Sequence, residues 1–431
     1  MKNKLKIIDN FKVSPEERLE AAAYLAANFA PDMDAVCEID LHCHSFYSDG
    51  YYSPANKVFE AYRRKMKAIA IADHDLFDGQ REAISAGEIF GIDVIPAIEF
   101  YTDRPGVEII AHFPDKKAFL ELLDSKEPEK IIEPIRNAKK TQLSSMLARI
   151  PACFKKLGFK AEITQDDIDT FLRNGISTKG DISVAMWQKY GCELRKLGLS
   201  SDVKDFQAKY TTQDDMLNMP LEIDLDLTAE AFIKRVLDWG GLPGFSHPTE
   251  LRKKEGLGNC ELRTLIAKLA KCGLQTIEVD GWRNTICPET GINQTDLFEQ
   301  MRVEYNMKLE TGKLQISSSS ACLDETGTSE RKIQKKSELT NPTPHPQAVS
   351  NGRRSPRMRG NHRIYRAVGT NTPLLKLPLL FTNGSDDHNQ PGEGLELGCG
   401  RDRNLRPEFG LYENIKKLKE RVLKLDYESK A

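Results

Sequence analysis

Asp40-Leu41-His42-Cys43-His44, running on to Ser48-Asp49-Gly50, is the stretch that decides how this chain is read. Side chains on a strand alternate faces, so His42 and His44 point the same way from one edge of a sheet. Two imidazoles held side by side are half of a metal site. Asp49 adds a carboxylate on the following loop, where Gly50 permits a tight turn. A lone His-x-His pair arises easily by chance; its weight comes from matching pieces downstream. Ala68–Ala72 reads as a buried strand ending in Asp73-His74-Asp75. Ile92–Ile98 ends in Glu99, Gly241–Ser246 in His247-Pro248, and Leu379–Ser385 in Asp386-Asp387-His388. Active sites of barrel enzymes gather at the carboxyl ends of parallel strands, and that is where these residues fall.

Composition sets the bounds. With 431 residues, 39% apolar and 29% charged, the chain suits one large barrel with additions or two ordinary domains. A net charge of -2 gives no overall pull toward nucleic acid or membrane. Nine cysteines without a CxxC pair point away from a disulfide framework and toward a reducing compartment. No run approaches the roughly 18 apolar residues that a membrane span needs. The expected location is cytoplasmic.

Residues 1–36 read as a helical N-terminal extension. Ser14-Pro15-Glu16-Glu17 supplies a cap, a first-turn proline and first-turn acids for an alanine-rich helix that stops near Pro31. Across 37–115 apolar strands alternate with amphipathic helices, which predicts a parallel sheet. Residues 116–238 are charged and mainly helical, an insertion over one face of a barrel that continues through 239–310. The texture then changes: 311–380 holds twelve Lys+Arg against four Asp+Glu, with Ser317–Ser320 and Pro-rich stretches. Segment 311–378 therefore reads as a basic, low-complexity, disordered insertion. Its functional reading is an arm for nucleic acid or an acidic partner; the blander one, an insertion without a role or a spurious one, is favoured because there is no aromatic-basic interleaving of the kind that stacks bases. Joining Lys308-Leu309-Glu310 directly to Phe381-Thr382-Asn383 predicts one uninterrupted strand. Residues 379–431 hold the last barrel motif and a C-terminal helix.

His, Asp and Glu without thiolates make a mixed nitrogen and oxygen donor set, suited to Zn, Mn or Fe, with Mg also compatible. The candidates exceed what one ion needs, so two or three divalent ions are expected, with Glu99 and Asp386 able to bridge neighbours about 3.5–4 Å apart.

At this point the chain resembles a known family. Asp40–Gly50, Ala72-Asp73-His74-Asp75, Ile95-Pro96-Ala97-Ile98-Glu99, Ser246-His247-Pro248 and Gly384-Ser385-Asp386-Asp387-His388 look like successive motifs of the PHP (polymerase and histidinol phosphatase) family. The resemblance implies an α/β fold, a distorted (β/α)7 TIM-like barrel, with a two- or three-metal phosphoesterase centre. By the same resemblance the metal ligands are His42, His44, Asp49, His74, Glu99, His247, Asp386 and His388. A helical insertion between Glu99 and His247 is most similar to the branch that hydrolyses nucleoside 3′,5′-bisphosphates and short RNA 5′ ends.

Two places depart from the family pattern. Where the family has a histidine opening a strand, this chain has Glu108-Ile109-Ile110-Ala111-His112. Aligned on the apolar core, Glu108 takes the histidine's place as a ligand, and His112 lies on the same strand face four residues on. His112 is an alternative ligand, a phosphate contact or a general acid. In the insertion, Lys179 stands where that branch carries an arginine, a point-charge candidate for phosphate binding alongside Arg252. A solvated loop lysine is an equal reading for either.

The function expected is hydrolysis of a small phosphomonoester, a nucleotide, by metal-activated hydroxide attack on phosphorus, with His247 or His112 protonating the leaving oxygen. Histidinol phosphate is the alternative substrate, and a metal-binding chain without turnover the alternative class. An amidohydrolase is less favoured, because no lysine stands at a strand end to bridge metals. The sequence leaves the oligomeric state open.

Overall fold

The computed structural model describes residues 1–169, 179–212, 217–248, 258–280, 294–310, 379–387, 397 and 410–430. The chain divides into a main unit, Met1–Leu314 with Leu375–Ala431, and a second unit, Gln315–Leu374, which lies outside the described residues together with the rest of segment 311–378.

Among the described residues eight strands form two sheets. β1 (Ile39–Cys43), β2 (Ala68–Ile71) and β3 (Asp93–Val94) pair in parallel. β4 (Ala97–Tyr101), β5 (Glu108–His112), β6 (Leu242–Phe245), β7 (Thr276–Asp280) and β8 (Leu380–Gly384) make the second sheet in that order. The sheets meet at two seams through isolated bridges, His74 with Glu99 and Cys43 with Asp387, rather than through continuous ladders. The architecture is mixed α/β, and no closed ring of ladders forms among the described residues.

The parallel-sheet expectation for 37–115 needs correcting at β5, which runs antiparallel to both β4 and β6. The reason is length. A parallel return needs a crossover of a dozen or more residues, whereas only Thr102–Val107 separates β4 from β5, with Gly106 at φ +77 in the turn. The run Ile92–Ile98 is likewise two strands. Pro96 has no N–H to give a ladder, so the chain leaves one sheet there and enters the other. Glu99 consequently sits in the middle of β4.

β2 is buried on both faces, as its unbroken apolar sequence requires. Ile69 and Ile71 pack outward with the helices, while Ala68, Ala70 and Ala72 join Leu41, Ile110 and Leu242 against Ile415, Leu418 and Val422 of the C-terminal helix Glu413–Lys430. The N-terminal helix Pro15–Asn28 has its full capping box, Ser14 with Glu17. It is tied to the body by Arg18, whose guanidinium grips the Glu82 carboxylate at 2.8 and 2.7 Å with both side chains buried. The described residues between β5 and β6 are mainly helical, and some of them, Leu143, Met146, Phe154, Met186 and Phe206 among them, close around an apolar cluster of their own.

Lys308-Leu309-Glu310 is not a strand continuing into β8. These residues end the helix Gln294–Glu310. That helix instead positions β8: Asn306 accepts the Leu379 N–H at 2.9 Å and returns its amide to the Leu379 carbonyl at 3.3 Å, where Arg302 also donates at 3.2 Å. β8 then runs beside β7 from Leu380 opposite Thr276 to Gly384 opposite Asp280. No helix among the described residues is long and apolar enough to cross a membrane.

Candidate metal centre

The strand ends bring their side chains to one place. On β1 the alternation puts His42 and His44 on the same side, with Nε2 atoms 3.1 Å apart, while Cys43 turns away to the Ala70 carbonyl. Glu99 is the hub. Its Oε2 lies 3.0 Å from His42 Nε2, 3.5 Å from His44 Nε2 and 3.3 Å from His74 Nδ1, and its Oε1 lies 2.9 Å from His247 Nε2. Asp386 reaches His44 Nε2 at 3.2 Å and His42 Nε2 at 3.7 Å. Glu108 meets His247 Nε2 at 3.2 Å. Asp49, a quarter exposed, stands 3.7 Å from both His44 and His74. Among the described residues four groupings place donor atoms within 4.8 Å of one another: His42, His247 and Asp386; His42, His44 and Glu99; His44, Asp49 and His74; His74, Glu99 and Glu108.

The loops are shaped to allow this. A Cβ on Gly50 would strike the His44 carbonyl, so only glycine lets the Asp49 loop fold back on β1. A Cβ on Gly384 would strike the His42 side chain. His247 and Asp386, the residues that leave β6 and β8, both have positive φ (+23 and +53), a conformation that non-glycine residues adopt where function over-determines it.

The donor chemistry fits a divalent cation. His42 Nδ1 faces the buried Glu278 carboxylate at 2.8 Å, which assigns the ring proton to Nδ1 and leaves a lone pair on Nε2. That lone pair points at His44 Nε2 and at a Glu99 oxygen, and converging lone pairs in a buried space call for a proton or a metal ion between them. In the metal-free chain protons take that role. Burial works against a charge on His42, but the Glu278 and Glu99 carboxylates outweigh it and raise its pKa well above the usual 6.5. His247 is raised in the same way, against burial, by Glu108 and Glu99. Burial would raise Glu99, yet His42, His74 and His247 hold it well below 4.5.

The sign of the linkage follows. The two raised imidazoles contribute stability that is complete below their unfolded pKa and is lost as pH rises through their folded values. Glu99 contributes above its unfolded pKa and loses that contribution as pH falls through its folded value. Metal must displace the histidine protons to bind. We expect loading with Mn to release protons near neutral pH, with apparent affinity falling as pH is lowered. Calorimetry in buffers of different ionisation enthalpy measures this directly; a binding enthalpy independent of buffer would contradict the assignment.

The sequence-derived candidates divide on this geometry. His42, His44, Asp49, His74, Glu99, Glu108, His247 and Asp386 come together. His388 and Arg252 lie outside the described residues, and Lys179 opens the helix Lys179–Lys196 with its side chain outside them. His112 belongs to none of the groupings. Its Nε2 lies 2.8 Å from the Leu41 carbonyl, and burial lowers its pKa to about 4, so it is a neutral histidine tying β5 to β1. Glu108 is therefore the β5 residue that faces the cluster.

Sequence reasoning missed Glu278, which orients His42 and accepts the His247 backbone N–H at 3.3 Å. Its signal was a carboxylate flanked by the apolar Ile277 and Val279 within a strand. It also missed the clamps beneath the loops. Asp73 accepts from the Ser45 backbone at 2.7 Å, from its hydroxyl at 2.6 Å and from Ser48 at 2.7 Å.

Comparison with known proteins finds likenesses by sequence and by fold. Residues 40–171 match the model of the PHP domain family. A 5′-3′ exoribonuclease of Haemophilus influenzae is 42% identical over 67 residues, which is 16% of this chain and 24% of that protein. Among solved structures, a candidate metal-dependent phosphoesterase of Bifidobacterium adolescentis superposes with a TM-score of 0.54 at 18% identity, covering 89% of this chain and 96% of that one. An amidohydrolase of Chromobacterium violaceum with bound sulfate gives a TM-score of 0.45 at 20% identity over 63% of this chain and 83% of that one.

Proposed function

We propose that this chain, which carries a PHP domain across residues 40–171, is a metal-dependent phosphoesterase acting on a small phosphomonoester, a nucleotide such as a nucleoside 3′,5′-bisphosphate. One observation carries the reading: imidazoles and carboxylates from six strands and the loops that follow them converge, with the His42 and Glu99 lone pairs aimed at one another. Two or three divalent ions (Mn, Zn or Fe, with Mg compatible) would supply positive charge for phosphoryl oxygens and an acidified water.

The chain's own residues do the rest. His42, His44, Glu99 and Asp386 would hold one position. His74, Glu99 and Glu108 would hold a second, and His44, Asp49 and His74 a third. Glu278 fixes the ring of His42. His247, lying between Glu99 and Glu108, is the histidine placed to pass a proton to the leaving oxygen, because His112 is turned to a backbone carbonyl.

The exoribonuclease relative supports a substrate built of nucleotides, short RNA ends included, over histidinol phosphate. The docking of β8, which delivers Asp386 to His42 and His44, supports a working centre over a binding protein without turnover.

The test is phosphate release by the Mn-loaded protein from nucleoside 3′,5′-bisphosphates, mononucleotides and histidinol phosphate, with a His42→Ala/His44→Ala control. Release from the bisphosphates that vanishes in the control is expected. A folded, metal-loaded protein that releases phosphate from none of them sinks the proposal.

A further inference from the structure

The N-terminal extension lies outside residues 40–171, the part of the chain that matches the PHP domain, yet it grips both ends of the loop that carries Asp49. At the far end, the helix Lys2–Ile8 stops at Asp9, whose carboxylate accepts the Ser53 N–H at 2.9 Å. The Ser53 hydroxyl donates to the Ile8 carbonyl at 2.5 Å. Ser53 caps the helix Pro54–Arg63 that follows the loop. At the near end, the Arg18 guanidinium lies over the Phe46 ring, 5.1 Å from its centre, between His44 and Asp49 in sequence.

Arg18 does more here than dock a helix. It is fully buried, and an ion pair inside a protein is no stronger a fastening than apolar side chains of similar volume. What a guanidinium adds is fixed geometry. Its fork takes both Glu82 oxygens at 2.8 and 2.7 Å, and its remaining nitrogen donates to the Val13 carbonyl at 2.6 Å and the Asn10 carbonyl at 3.2 Å. The plane held in this way presents its face to Phe46. Glu82 also accepts the Ala55 N–H at 3.2 Å, in the first turn after the loop. Asp73 fastens Ser45 and Ser48, while Arg18 and Asp9 fasten Phe46 and Ser53. Asp49 itself is the most exposed of the gathered ligands, at 25%, so its place depends most on how the loop is held.

We infer that the N-terminal extension is a working part of the metal centre: through Arg18 and Asp9 it holds the loop that presents Asp49, and so sets the affinity of the ion position that Asp49 shares with His44 and His74. Arg18 and Phe46 are positioning residues, acting on that ion through the loop. This rests on the metal-dependent reading of the site, and it is tested on bound metal, not on turnover.

The experiment titrates the metal-free full chain with Mn, reading free ion by electron paramagnetic resonance, and follows backbone hydrogen exchange alongside. Arg18→Met/Glu82→Gln removes both buried charges together, so neither is left without its counter-ion. It should weaken one ion position about 10-fold, the effect of a group that orients a ligand, while the others keep wild-type affinity. Phe46→Leu leaves the ion pair intact and should weaken the same position, which keeps the test open should the double variant not fold. Ser14→Ala loosens the same helix at its cap without touching the loop, and its Mn affinities should match wild type. In an Asp49→Asn background the Arg18 and Phe46 changes should cost nothing further, because the position they support is already lost. Exchange at Phe46, Tyr47 and Gly50 should quicken in the loop variants while β4 stays protected. Unchanged Mn affinities in folded variants, an equal loss at every position, or a further loss on top of Asp49→Asn overturns the inference. The expected Mn pattern without phosphate release would support it and count against the phosphoesterase reading alone.

Discussion

Glu99→Gln should reduce phosphate release by about 10³-fold or more and strip most of the bound metal, while leaving the fold in place. The magnitude comes from where the carboxylate stands. It touches His42, His44, His74 and His247 at 2.9–3.5 Å and belongs to two of the four donor groupings. An amide of the same shape keeps the packing and one carbonyl oxygen but removes the negative charge shared between ion positions. Losing several kcal/mol of charge stabilisation corresponds to three or more factors of ten in rate. Metal content by elemental analysis and phosphate release would be read together. Circular dichroism should stay close to wild type, since Glu99 is held in β4 by backbone pairing with β5. The metal-free variant should also show a weaker pH dependence, because one of the two carboxylates that raise His42 and His247 is gone while Glu278 and Glu108 remain. Retained activity would mean that Glu99 accepts hydrogen bonds and holds no ion.

Glu278→Gln makes a useful contrast. Glu278 touches the ring of His42 from behind and lies in none of the donor groupings, so its loss should cost only the 10- to 100-fold typical of groups that orient a ligand.

How much of this was legible in the sequence depends on the range of the interaction. His42, His44, His74, His247 and Asp386 were readable because each lies at or just beyond the end of an apolar run, and a strand delivers those residues to a common edge; Glu99 was readable from its apolar run although it sits mid-strand in β4. β5 could have been placed correctly from its linker alone, since Thr102–Val107 is too short for anything but a hairpin. Glu278 was not readable in that way. It is one of two carboxylates on β7, and the register of that strand against β6 and β8 decides which way it faces. The assignment of β5 between Glu108 and His112 needed the hydrogen bond of His112 to Leu41, a contact across 71 positions of sequence.

Lys57 is the other residue that the pattern concealed, and its removal should be costly although it lies outside the cluster. It sits on the amphipathic helix Pro54–Arg63, fully buried, with Nζ 2.6 Å from the Asp387 carbonyl and 3.1 Å from its carboxylate. Burial alone would lower its pKa, but Asp387 outweighs that and raises it, so the ammonium stays charged in the interior. Breaking a buried pair from one side is expensive because the remaining charge has lost its counter-ion. Lys57→Met should therefore destabilise the protein by about 3–5 kcal/mol in urea unfolding. The double variant Lys57→Met/Asp387→Leu should recover most of that loss, since replacing both charges by apolar groups removes the uncompensated one. Recovery of stability need not recover the metal centre. Asp387 pairs with Cys43 across the seam between sheets, and its neighbour Asp386 donates its N–H to the His42 carbonyl at 2.8 Å. Lys57 thus anchors the segment that carries a ligand, and the stabilised double variant should bind metal more weakly than wild type. A double variant with wild-type metal affinity would show that the strand pairing alone places Asp386.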